Sequence, residues 1–159
     1  MQRILLIDFE NVQKLDLELI NLDDTEIAIF VGKSQNRIPF TVVEKTQALG
    51  ERVRWLKIAG DGKNNLDFHI AFELGRLCER FKKDIELIIL SMDSGYDALM
   101  KYINDFGIPI KRISNLAELA DSKEDLPTSK FTGLVVFNLK KIDNQKRPRT
   151  SGTLKKHIE

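Results

Sequence analysis

The 159-residue sequence holds a single cysteine, Cys78, and only two histidines, His69 and His157. One thiol excludes an internal disulfide, and with two histidines so far apart it leaves no ligand set for a zinc site. No segment approaches the ~20 consecutive apolar residues that cross a bilayer. The opening apolar run Ile4-Leu5-Leu6-Ile7 is too short for a signal peptide and ends in Asp8 instead of a small-residue cleavage site. Neither a Walker A pattern nor a Gly-x-Gly-x-x-Gly run is present, which argues against phosphate binding by those loops. Internal repeats and low-complexity segments are also missing. A cytoplasmic location is the default expectation from these absences.

What is present is ordinary in amount and unusual in placement. Hydrophobic residues make up 42% and charged residues 31% of the chain, the proportions of a globular domain, and the length suits one domain with its own core. The net charge of +1 conceals an asymmetry. Residues 140–159 contain seven basic residues (Lys140, Lys141, Lys146, Arg147, Arg149, Lys155, Lys156) against Asp143 and Glu159, or +5, which leaves −4 for the rest. An acidic body with a basic tail suits a protein that gathers carboxylates in one place and phosphate affinity in another; a solvated, charged terminus is the plainer account.

Apolar runs of strand length alternate with longer helical patterns. Strands are expected at residues 3–8, 26–31, 52–58 and 86–90, with a short fifth at 109–113. Continuous apolar runs indicate strands covered on both faces, as in parallel sheets. Helices are expected at 39–49, opened by Pro39 and stopped by Gly50, at 64–81, and at 95–106, closed by Gly107. Residues 114–130 read as a loop with one helical turn, and Leu134–Phe137 fits either a strand or a short helix. The alternation predicts an α/β fold: a mostly parallel sheet of about five strands between two helical layers. Ligands in such sheets bind beyond the carboxyl ends of the strands.

Four aspartates fall at that edge. Asp8 ends the first strand, Asp93 follows the fourth by three residues, and Asp97 lies at the start of the next helix. Asp67 opens helix 64–81, whose expected apolar stripe is Ile70, Ala71, Leu74, Cys78 and Phe81, so it should lie on the buried face, where a bare carboxylate needs a partner. Each acid also has a local explanation. Asp8 and Asp93 suit turns, Asp97 suits a capping box with Ser94, and Asp67 suits the positive end of its helix. Taken together they predict convergence on a divalent cation, and oxygen-only ligands select Mg²⁺ or Mn²⁺. Such a cluster should repel itself without metal, so Asp8→Asn is expected to stabilise the metal-free protein. Lys33, Arg37, Lys63 and the tail residues Lys146, Arg147 and Arg149 are the expected phosphate contacts.

Three stretches together resemble a known family. Ile7-Asp8-Phe9-Glu10-Asn11-Val12 is similar to the Asp-x-x-Asn opening of PIN-like domains of the NYN type. Residues 62–71 (GKNNLDFHIA) resemble the central Lys-x-x-x-Asp stretch, and Ser91-Met92-Asp93-Ser94-Gly95-Tyr96-Asp97 resembles the loop after the fourth strand. The resemblance covers residues 3–113 and implies a PIN-like three-layer α/β/α fold. It also implies a Mg²⁺- or Mn²⁺-dependent ribonuclease with Asp8, Asp67, Asp93 and Asp97 as catalytic, metal-binding acids. Asn11 would orient Asp8 or contact substrate, and Ser94 would hold an acid or a phosphate. Many relatives read Ser-Gly-Asp-Ser-Asp in the last loop; here the second acid comes later, which leaves one or two metal ions open. The expected organisation is a PIN-like nuclease domain at 1–139 and a basic extension at 140–159 that reads as the start of a helical element. The expected partner is nucleic acid, RNA before DNA and single-stranded before duplex. No membrane is expected, and a homodimer or larger complex is left open. The alternative is a catalytically silent PIN-like module that binds nucleic acid or organises a complex.

Overall fold

The computed structural model describes residues 2–19, 25–60, 62–81 and 84–121. Asp61, the stretch 131–159, the boundary expected at 139/140 and the basic tail lie outside the described residues. Five strands, β1 (Gln2–Asp8), β2 (Thr25–Val31), β3 (Val53–Lys57), β4 (Ile85–Leu90) and β5 (Ile110–Ile113), form one sheet. Its order is β3-β2-β1-β4-β5, and every neighbouring pair is parallel. The helices are α1 (Phe40–Ala48), α2 (Asn65–Phe81), α3 (Tyr96–Asp105) and a short α4 (Ala117–Asp121).

Alternation along the central strands sends successive side chains to opposite faces. Ile4 and Leu6 of β1, Ala28 and Phe30 of β2, and Leu87 and Ile89 of β4 pack against Leu66, Ile70, Leu74 and Leu77 of α2 and Ile103 of α3. Leu5 and Ile7, Ile27 and Ile29, and Ile88 and Leu90 face the other way, toward Val42 of α1, Leu15, Leu17, Leu116 and Leu119. This double cover is why the strands read as unbroken apolar runs. A fully buried aliphatic side chain such as Leu6 or Leu74 contributes about 1.5–3 kcal/mol of transfer free energy. The third strand stands at the sheet edge and is only half-buried, which explains its mixed sequence.

The elements lie within a residue or two of their expected bounds, and the differences have local causes. Pro39 sits at the N-cap of α1 with ψ 132° instead of inside the helix. Asn64 has φ 60°, so α2 begins at Asn65. The buried stripe of α2 centres on Leu66, Ile70, Leu74 and Leu77, while Ala71, Cys78 and Phe81 are half-buried. Glu73 is buried as well, because Arg54 and Arg76 donate to its two carboxylate oxygens at 3.0 and 2.9 Å.

Candidate active site at the carboxyl edge of the sheet

The chain runs from β1 outward to β2 and β3, then returns to place β4 on the other side of β1. The crevice where strand order reverses therefore opens between the carboxyl ends of β1 and β4. Asp8 ends β1 there and is fully buried. Its Oδ1 accepts the Asn11 backbone N–H at 3.2 Å. Its Oδ2 accepts the Asn11 side-chain amide at 2.7 Å and the Ser91 hydroxyl at 3.0 Å, with the Tyr96 hydroxyl at 3.4 Å. The Asp-x-x-Asn spacing is thereby explained: the turn after β1 brings Asn11 back onto both oxygens of Asp8.

Tyr96, the first residue of α3, is 3% exposed. Its hydroxyl donates to Asp67 Oδ1 at 2.7 Å. Burial, the Asp67 hydrogen bond and the nearby Asp8 carboxylate push the Tyr96 phenol far above the ordinary tyrosine range, so it keeps its proton. Asp67 is half-buried in the first turn of α2, where the amide dipoles favour a negative charge. The partner that its inward position demanded is thus a tyrosine hydroxyl. Asp93 joins the group from the loop after β4, where the Ser91 hydroxyl accepts its backbone N–H at 3.1 Å. Its own Oδ1 accepts the Gly95 N–H at 2.7 Å.

Three of the four predicted acids therefore stand near one another: the Tyr96 hydroxyl donates to Asp67 and lies 3.4 Å from Asp8, and Ser91 joins Asp8 to the backbone N–H of Asp93. Asp97 bonds to none of them directly, although its partner Arg112 also donates to the Ser91 backbone carbonyl at 3.1 Å. Its exposed carboxylate pairs with Arg112 of β5, Nε to Oδ1 at 2.8 Å, and the guanidinium holds it below the usual carboxylate range. The expected capping box does not form either, since α3 has no side-chain cap. Ser94 contributes its backbone carbonyl to the Asp97 N–H.

Above these acids lies a polar pocket of about 480 Å³ whose walls include Glu10, Asn11, Lys33, Lys63, Asp67 and Asp93. Arg37 and Ser94 do not line it. The loop carrying Lys33 is clamped by Lys57, whose ammonium donates to the carbonyls of Gly32, Lys33 and Gln35 at 2.7, 3.1 and 2.7 Å. The Glu10 carboxylate lies directly over Gly32, where a Cβ would make that exposed side chain move aside. Opposite, Asn65 ties α2 to the preceding loop through the Ala59 carbonyl at 2.8 Å. Reading the sequence missed Glu10, Lys57 and Tyr96 as site residues. Glu10 and Tyr96 stand inside the quoted motifs, so their polarity was a usable signal; Lys57 looked like any edge-strand lysine.

The sequence matches the PIN domain family over residues 2–113, well over half of the chain. The chain belongs to the PIN domain family. The all-parallel five-stranded sheet between helical layers agrees with that fold. PIN domains are in general a metal-dependent nuclease fold that acts on nucleic acid. Comparison with curated proteins and with solved structures yields no match. No helix among the described residues is long and apolar enough to cross a membrane.

Among the described residues of this PIN domain, no three acids already stand in the spacing that holds a metal ion. The nearest acids offer oxygen donors only. Asp8 and Asp67, from different elements, reach the same hydroxyl, and Asp67 and Asp93 line the same pocket. All the candidate ligands are oxygens.

Proposed function

We propose that this PIN domain is a divalent-metal-dependent ribonuclease of the NYN type that hydrolyses phosphodiester bonds in single-stranded RNA. The observation that carries the reading is that Asp67 and Asp93, with Asp8 buried nearby, open onto a pocket that also holds Lys33 and Lys63. An ion such as Mg²⁺ or Mn²⁺, held by Asp67 and Asp93 with Asp8 behind them, would supply water activation and neutralise charge developing at phosphorus.

The chain's own residues have separable tasks in this reading. Asn11 and Ser91 fix the Asp8 carboxylate, Tyr96 orients Asp67, and Gly95 orients Asp93 through its backbone N–H. Lys33 and Lys63 receive substrate phosphates on the pocket walls, where positive charge offsets a polyanion. Arg37, Ser94 and Asp97 have no part in the pocket, and Glu10 is added to it. A phosphate must descend between these walls, which a flexible single strand does more readily than a stacked duplex. The preference for RNA rests on the NYN-type motifs.

The test is cleavage of labelled single-stranded RNA and DNA of one sequence in Mg²⁺, Mn²⁺ or EDTA. RNA is expected to be cut with either metal and spared in EDTA. Asp67→Ala should lose cutting while still melting cooperatively. Failure of the folded wild type to cut either polymer, with metal present and binding intact, would leave a nucleic-acid-binding module in place of a nuclease.

A further inference from the structure

We propose that Phe68 and Phe72, on the outer face of α2, are a stacking platform for unpaired bases that carries a single strand onward from the pocket. The inference rests on the ribonuclease reading above and names the part of the substrate that this face takes. Both rings are 70% exposed, so folding leaves most of their surface in water. Phe68 donates its backbone N–H to the Asn64 carbonyl at 3.2 Å, which sets it one turn above a residue of the pocket wall. Asn65, three positions before Phe68, lines the same wall, and residues three and four apart share a helix face. Long side chains on a helix lean back toward its N-terminus. That brings the Phe68 ring toward the pocket mouth and the Phe72 ring over the turn that carries Phe68.

A lone exposed phenylalanine needs no explanation. Two of them in line with a polar pocket, one turn or ~6 Å apart along the helix, make a continuous apolar strip. The charge at the two ends of that strip favours a polyanion. Lys63 stands on the pocket wall before it. One turn beyond Phe72 comes Arg76, which shares the Glu73 carboxylate with Arg54 of β3. Two guanidiniums, each half or more exposed, thus meet one buried acid and leave a net positive charge. Cations that follow the backbone and aromatic rings that take the base faces are how single strands are held without regard to sequence. A duplex keeps those faces inside its own stack, so the two rings select for an unpaired strand.

Phe68→Ala, Phe72→Ala and the double variant test the platform. Affinity is read by fluorescence anisotropy with a short labelled single-stranded RNA in EDTA, where binding is followed without cleavage. Alanine is the better helix former and both rings are exposed, so all three variants should melt like wild type. Each single variant is expected to bind the RNA about tenfold more weakly, the size of one lost base–aromatic stack, and the double variant more weakly still. The dependence of affinity on salt should keep its slope, because no phosphate contact is removed. A strand of equal length built from abasic ribose-phosphate units keeps the charge and lacks the bases; wild type and all variants should bind it alike. Phe106→Ala, which removes an exposed ring just beyond the C-terminal end of α3, is the reference for losing a phenyl elsewhere and should bind the RNA like wild type.

Wild-type affinity for the RNA in the double variant overturns the inference and leaves the ribonuclease reading standing, with this face left to a protein partner. An equal loss on the abasic strand, or an equal loss in Phe106→Ala, overturns it too, since the effect then does not come from stacked bases. Failure of wild type to bind the RNA, in EDTA and in Mg²⁺ alike, overturns the inference together with the reading on which it rests.

Discussion

At the middle of the sheet's carboxyl edge a fully buried aspartate, Asp8, accepts from Asn11 and Ser91, with the Tyr96 hydroxyl 3.4 Å away. At the β5 end of the same edge an exposed aspartate, Asp97, meets a single guanidinium from Arg112. The two carboxylates are chemically identical and stand at equivalent kinds of position, the end of a strand and the start of a helix. Their surroundings give them different work. A buried carboxylate without donors would be costly, so the donors around Asp8 belong to the fold as much as to the site. An exposed pair gains little in water and is screened by salt, so the Asp97–Arg112 ion pair itself contributes little stability.

The comparison is broken most directly at its buried end. Asp8→Asn keeps the shape but turns one acceptor oxygen into a donor NH₂ group, which must then face the N–H and O–H groups now pointing at Asp8. Leaving buried donors unsatisfied costs ~1–3 kcal/mol each, with more for groups that served a charge. The variant is expected to lose about 2–3 kcal/mol in denaturant titrations with EDTA present. This reverses the sign drawn from charge counting alone. Repulsion among acids argues for relief on removing one, whereas the donors packed around Asp8 have already compensated its charge. An Asp8→Asn protein as stable as wild type would show that those hydrogen bonds are dispensable.

A smaller effect is expected one step out. Ser91 is fully buried, donates to Asp8 and accepts the Asp93 N–H. Ser91→Ala removes both bonds and leaves Asp8 with its other donors. A loss of about 1 kcal/mol is expected, together with weaker cleavage, because the Ser91 hydroxyl no longer joins the Asp93 N–H to Asp8. Unchanged cleavage at reduced stability would separate the Asp93 position from the chemistry.

The fold was legible in the sequence because its signals were redundant. Five apolar runs and three helical patterns in alternation permit few arrangements other than a covered parallel sheet, and Gly50 and Gly107 marked where helices stop. Motif order and strand context placed Asp8, Asp67 and Asp93 at the carboxyl edge of the sheet, where the structure has them. What could not be read was direction at short range. Asp97 lies one residue beyond Tyr96, and that single step around the helix turns one side chain into the core and the other toward β5. The spacing that suggests a capping box is equally compatible with an ion pair to Arg112, a residue 15 positions away along the chain. The ring of Tyr96 is buried in the core. Only its hydroxyl reaches the acids, donating to Asp67.

The smallest expected effect is at the exposed end, and it carries its own pH signature. Arg112 holds the Asp97 carboxyl below the usual carboxylate range. A group whose value is depressed by folding adds stability that is fully present above its unfolded value, ~3.9, and is lost as the pH falls through the lower folded one. Asp97→Asn should therefore melt slightly below wild type at pH 7, and the two curves should converge from about pH 4 downward. Added salt at pH 7 should narrow the gap in the same way, because the pair is solvent-exposed. Cleavage and Mn²⁺ affinity should match wild type, since neither Asp97 oxygen lines the pocket. Loss of cleavage in an Asp97→Asn protein of normal stability would return this aspartate to the active site. It would also mean that the Arg112 pair opens when substrate binds.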